Sequence, residues 1–314
     1  MMTAPAAPDA EVFEEHRALL FGIAYRMLGS VAGAEDVVQE TYLRALQAGD
    51  DQVRSARAYL VTIATRLCLD ELKSARAQRE TYVGSWLPEP IPTGAGLAPL
   101  PEAAAEERES ISMAFLVLLE RLTPVERAVF LLREVFGFGY AEVAGIVGRS
   151  ETACRQVFHR ARERVREGRR RQAVSPSEHW EITARFVQAA GSGSLAGLIA
   201  LLSDSVIAWS DGGGRASSAI NPIYGPWRVA RFVIGVSRKS ARIGELAAVE
   251  LAEVNGEPGI IWRSRKGRAT SVSVLEVVGG RVVAIRSVRN PDKLRRFRES
   301  RGPTFAVTFE PTGA

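Results

Sequence analysis

Arg155 and Gln156 stand side by side near the start of a run that ends in arginines, and both are side chains that form paired hydrogen bonds with the edges of purine bases. Arg149, Ser150, Glu151, Thr152, His159 and Arg160 surround them, so polar, basic and acidic groups are gathered within a few turns. Further along, Arg162, Arg164, Arg166, Arg169, Arg170 and Arg171 supply positive charge suited to phosphate oxygens, which gives affinity without sequence information. This is the chemistry of reading duplex DNA. One face of a helix must hold these groups, and Ala153, Val157, Ala161 and Val165, four apart, provide the inward stripe that leaves them outside. Just upstream, Tyr140, Val143, Ala144 and Val147 recur at helical spacing, Gly148 supplies a turn, and Ser150 is placed to cap the second helix. Residues 122–166 are therefore expected to form a helix–turn–helix, the bland alternative being an amphipathic helix with a solvated basic face.

Composition narrows the classes. A chain of 314 residues, 46% of them hydrophobic, is long enough for two or three domains with sizeable cores. The net charge of +5 is small, but the arginines of residues 160–171 concentrate it, which favours a polyanionic partner. No stretch approaches the roughly 20 apolar residues of a membrane span, and the first residues lack a signal core, so the expected location is the cytoplasm and no membrane partner is expected. Cys68 and Cys154 are far apart, and His16, His159 and His179 are scattered. Neither a disulfide framework nor a metal site is indicated, and no cofactor is expected.

Punctuation divides the chain. Phe13, His16, Leu19, Leu20, Ile23, Ala24 and Met27 form an apolar face before Gly29-Ser30. A second helix, 34–47, carries Val37, Val38, Leu43 and Leu46 as its apolar set beside the polar Asp36, Gln39, Glu40 and Arg44, and Ser55 precedes a longer helix through Ala75. Residues 82–101, YVGSWLPEPIPTGAGLAPLP, are rich in Pro and Gly and read as an extended connector, yet Tyr82, Trp86 and Leu87 are costly to leave in water, so part of it should dock on a neighbour. From Ser177 the pattern is two helices, a strand, a helix over 227–238 and a set of antiparallel strands, with Gly279-Gly280 as the last hairpin turn.

The segments DVVQETYLRAL, RAYLVTIATRLCLDELKSAR and LTPVERAVF with its helix–turn–helix closely resemble regions 2 and 4 of extracytoplasmic-function sigma factors of bacterial RNA polymerase. With the linker motif WLPEP, DGGGR at 211–215 and NPDKL at 290–294, the chain resembles the SigJ-type subgroup, which carries a SnoaL-like C-terminal domain. The resemblance implies a multidomain protein: all-α region 2 over residues 9–81, a linker over 82–109, all-α region 4 over 110–172, an α+β SnoaL-like or nuclear-transport-factor-like cone over 177–298, and a tail over 299–314. It implies core RNA polymerase and promoter DNA as partners. Asp36, Gln39, Glu40 and Arg44 would contact the polymerase, whereas Arg66, Asp70, Lys73 and Arg76 are candidates for the minus-ten element, with Asp70 alternatively paired to Arg66 or Lys73 along its helix. Trp86, Leu87 and Pro88, with Asp211, Gly212, Gly213, Gly214 and Arg215 and with Asn290, Pro291, Asp292, Lys293 and Leu294, would form regulatory contacts or a pocket for an unknown small ligand.

The cone could belong to an enzyme or to a regulator, and fold does not decide between them. A proton-transfer enzyme needs a positioned base, and beyond His179 this domain has no histidine. Asp211 and Asp292 have plain alternative roles, in a Gly-rich turn and in the first turn of PDKLRRF. The expectation is a sigma factor, not an enzyme, whose C-terminal domain modulates it in cis. The alternative is a polymerase-independent helix–turn–helix regulator with a ligand-sensing cone. The tail residues Phe305, Val307 and Phe309 alternate in a way that suits docking on a sheet edge.

Overall fold

A computed structural model describes residues 10–47, 55–93, 110–168 and 174–297, without the side chains of 75–80. Arg169 to Arg171, linker residues 94–109 and the tail lie outside the described residues. The chain divides into two compact units: Met1–Glu80 with Gly94–Ile111 and Phe115–Arg169, and Thr81–Thr93 with Ser112–Ala114 and Arg170–Ala314.

In the first unit α1 (Ala10–Leu28), α2 (Val31–Gln47) and α3 (Ala56–Glu80) pack on one another around Leu20, Ile23, Met27, Val37, Leu60 and Ala64. The second helix starts earlier than its apolar pattern suggested, because Ser30 accepts a bond from the Gly33 amide (3.2 Å) and opens it. Leu43 and Leu46 do not join Val37 and Val38 inside: they are 49% and 54% exposed, and Thr41 and Ala45 take the inward places. Packing against α1 and α3 covers the face that carries Val37, Thr41 and Ala45, four residues apart, and leaves the two leucines outside it.

After α4 (Met113–Leu119), helix α5 (Pro124–Phe130) opens with a capping box in which Thr123 and Glu126 satisfy each other's end of the first turn, and a π-helical turn, Leu131–Val135, prolongs it. Then follow α6 (Tyr140–Val147) and α7 (Glu151–Gly168), with Phe130 against both Phe115 and Phe158. Two buried arginines tie the unit together. Arg26 donates to Ser110 Oγ (2.9 Å), Ser110 O (3.2 Å) and Gly22 O (3.1 Å), and Arg127 donates to Met27 O (2.6 Å) and to Glu120 (2.8 Å). Burial pulls the Arg127 guanidinium down to about 10, yet it keeps its charge at neutral pH because these oxygens face it.

The second unit begins with α8 (Pro176–Gly191) and α9 (Leu195–Leu201), which pack on a sheet of β1 (Leu202–Asp211), β2 (Ile223–Tyr224), β3 (Ala248–Val254), β4 (Glu257–Arg263), β5 (Ala269–Val278) and β6 (Arg281–Val288). Helix α10 (Pro226–Arg242) lies between β2 and β3 in the chain, and a 3-10 helix, Pro291–Phe297, follows β6. Among the described residues the strand order is β2-β1-β6-β5-β4-β3. The strands after α10, β3 to β6, pair antiparallel as expected, while the earlier strand β1 joins the sheet parallel to β6. The two-residue β2 is too short to show a period of two. The first unit is thus all-α, and the second, which carries the cone, is α+β, as expected.

Candidate nucleic-acid interface and the strap on the cone

The outward face of α7 is built by its inward one. Cys154, Val157, Phe158, Ala161 and Val165 are buried, with Ala153 at the margin, so Glu151, Thr152, Arg155, Gln156, His159, Arg160 and Arg162 all face water. Gly148, in the left-handed conformation, ends α6, and Ser150 accepts from the Ala153 amide (3.2 Å) to start α7. Arg149 and Ser150 are exposed beside that start. The Arg155 guanidinium lies 4.3 Å over the Tyr140 ring and 3.6 Å from Glu151, a stack that restricts its rotamers while leaving its donors outward. Arg164 is instead held by Glu126 at 2.6 Å, and Arg162 lies 3.5 Å from Glu134.

On α2 the residues Asp36, Gln39 and Arg44 are exposed and Glu40 half-buried, and Arg44 pairs with Glu40 at 2.7 Å. Leu43 and Leu46 emerge on the same helix, so this is a mixed face with apolar side chains among charges. On α3, Arg66, Asp70 and Lys73 are exposed. Asp70 pairs with Lys73 at 2.8 Å, and that bond holds its carboxyl below the usual range. Arg76 continues the helix, but its side chain lies outside the described ones.

In the second unit, residues 81–93 form a strap along the cone. Asp211, fully buried at the end of β1, accepts the Tyr82 hydroxyl at 2.5 Å, the Leu87 amide at 2.9 Å and the Lys293 ammonium at 2.8 Å. Lys293 also donates to Leu87 O (2.5 Å) and sits 4.3 Å over the Trp86 ring. Burial, and then the bond to Asp211, push the Tyr82 phenol up, so it stays a donor. Asn290 Nδ2 donates to the same hydroxyl at 3.1 Å, and its Oδ1 accepts the Asp292 amide at 3.1 Å. Gly213 is required by close approach: a Cβ there would run into the Asn290 amide and the Tyr82 hydroxyl, and one on Gly212 into Ala216 O and Ser218. Arg215 and Asp292 close the outside of the cluster at 2.8 Å. Downstream, Asn255 accepts the Ile91 amide (3.0 Å) and donates its own amide to Ile91 O (2.9 Å), while Pro92 bridges Val254.

Residues 12–78 match Sigma-70 region 2 and residues 112–165 match Sigma-70 region 4. The chain is 38% identical over 295 residues to the ECF RNA polymerase sigma factor SigJ of Mycobacterium tuberculosis, covering 91% of this chain and 93% of that protein. The crystal structure of that SigJ superposes with a TM-score of 0.70 at 35% identity, over 91% of this chain and 98% of the other. A probable ECF RNA polymerase sigma factor, SigI of the same species, is 30% identical over 94% of this chain and 98% of its own length. The chain belongs to the extracytoplasmic-function RNA polymerase sigma factors.

In this sigma factor the structure brings Trp86, Leu87 and Pro88 together with Asp211, Gly213, Asn290 and Lys293, with Leu294 buried behind them. It does not place the Asp211 side chain at the cavity of the cone, whose lining includes the preceding residue, Ser210. Four residues escaped the sequence reading in these roles: Leu43 and Leu46 as exposed residues, Asn255 as a strap anchor, and Tyr140 as the platform for Arg155. Only Asn255 carried a local signal, its pairing with Gly256 in an Asn-Gly turn between apolar runs.

Proposed function

We propose that this sigma factor binds core RNA polymerase through the α2 face, engages the minus-ten element through α3, and reads the upstream element through α7, with the cone acting on it in cis through the strap. The working domain bounds are 9–81, 82–109, 110–172 and 177–298. The observation that carries the reading is the coexistence in one chain of a solvent-facing recognition helix and a separate mixed apolar and charged face on α2, which a regulator acting without polymerase has no use for. A regulatory rather than catalytic cone fits its titratable groups: His179 bonds Leu275 O at 2.9 Å, and the Glu245 and Arg289 side chains at the cavity edge pair with each other at 2.9 Å. The test is initiation from a promoter library with purified core polymerase. Promoter-dependent transcripts that require this chain are expected, and duplex binding without any transcript at any promoter would leave the polymerase-independent reading in its place. No helix among the described residues is long and apolar enough to cross a membrane.

A further inference from the structure

The cone holds a cavity of about 320 Å³, at the lower end of small-molecule sites, between α8, α10 and the concave face of the sheet. Its walls are apolar: Phe186, Phe232, Val236 and Trp262 among them. Its floor is not. Ser210, Ser287 and Ser273 stand directly opposite one another on β1, β6 and β5, so register alone lines up a row of hydroxyls across adjacent strands. A period of two then puts Ser271 on the same face of β5 as Ser273. Ser273 and Ser287 share a hydrogen bond of 2.8 Å, but the Ser210 hydroxyl, on a residue only 5% exposed, has no protein partner among the described residues. Because these serines line the cavity, the Ser210 hydroxyl keeps its donor and acceptor capacity for whatever fills it, beside the Ser273–Ser287 pair.

We infer that this cavity binds a neutral, ring-sized organic molecule carrying hydroxyl or carbonyl groups that the serine row recognises. The charges at the cavity edge argue for neutrality: Glu245 and Arg289 cancel, Arg289 is further engaged with Ser217 O (2.6 Å), and Lys239 is exposed to water, so an anion would be desolvated by the walls without a buried counter-charge. The site is joined to the strap by single peptide steps. Ser210 precedes Asp211, Arg289 precedes Asn290, and the amides of both Arg289 and Asn290 donate to Asp211 O, at 2.7 and 2.9 Å. A ligand seated on the serine row therefore bears on the residue that anchors Tyr82, Leu87 and Lys293. Control of transcription by that ligand rests on the in-cis role proposed above, whereas binding does not.

The test uses the full chain and prodan, a neutral naphthyl ketone whose emission shifts to the blue when it leaves water. Saturable binding of one prodan per chain is expected, weakened roughly two- to tenfold in Ser210→Ala, which deletes one hydroxyl with little change in volume, and abolished in Ser287→Phe, which fills the floor. Because coupling is reciprocal, Asp211→Asn should also change the prodan affinity. Equal binding to wild type, Ser210→Ala and Ser287→Phe would overturn the site. Tighter binding of anilinonaphthalene sulfonate than of prodan would overturn the neutral class, and unchanged affinity in Asp211→Asn would overturn the link to the strap. No polymerase is present, so failure here leaves the sigma-factor reading untouched.

Discussion

Asp211 concentrates more of the second unit's polar chemistry than any residue around it: a buried carboxylate with a buried ammonium, a phenol and a backbone amide all directed at it. Removing it strands Lys293, 12% exposed at its side chain, without its counter-charge. Asp211→Ala should therefore cost about 3–5 kcal/mol, read as a lower denaturant midpoint for the cone, and adding Lys293→Met should recover part of that loss. Full additivity of the two changes would show that the pair is not coupled. His179 gives a second test at this scale. Burial holds its imidazole below the ordinary value of 6.5, against the weaker opposing effect of its bond to Leu275 O. The unfolded chain then takes up the proton first, so stability should be present above pH 6.5 and be lost as pH falls through the lowered folded value. His179→Gln keeps a donor without that titration, and the gap between the two proteins' unfolding midpoints should change over this window. A constant gap would mean that His179 does not contribute.

At the scale of elements, α7 divides into a reading part and a charge part. Gln156→Ala or Arg155→Ala should weaken binding to the preferred upstream sequence by about 1–3 kcal/mol relative to other sequences, whereas Arg166→Ala should weaken all sequences alike and reduce the salt dependence. Identical specificity profiles across a promoter library would show that the helix is seated differently. Helix α2 makes a separate prediction: Asp36→Lys with Glu40→Lys, or Leu43→Ser with Leu46→Ser, should lower affinity for core polymerase. Upstream-duplex binding by residues 110–172 should stay as it is, because that fragment lacks the altered face. Unchanged polymerase affinity in both double variants would remove α2 from the interface.

For the whole molecule, the strap matters because it belongs by contact to the cone although α3 ends immediately before it. Deleting everything after Val174 leaves Leu87, Pro88 and Ile91, all buried on the cone, without their partners. We expect promoter-dependent transcription to fall in that truncation and to rise when only residues 300–314 are removed, measured at matched protein concentration. Equal transcription from full-length and tail-less protein would show that the tail has no part in control.

The helices, the helix–turn–helix and most strands were legible because their signals are local. Periods of 3.6 and 2, a capping serine at 150, a left-handed glycine at 148 and a Gly-Gly hairpin act within a few residues of where they stand. What depends on residues distant in the chain was not legible. The partners of Asp211, 129 and 82 residues away in Tyr82 and Lys293, exist only once β1 and β6 run side by side in parallel. The serine row follows the same rule, since Ser210, Ser273 and Ser287 become neighbours through strand register. Leu43 and Leu46 looked like core until α1 and α3 chose which face of α2 to cover, and packing, not periodicity, makes that choice.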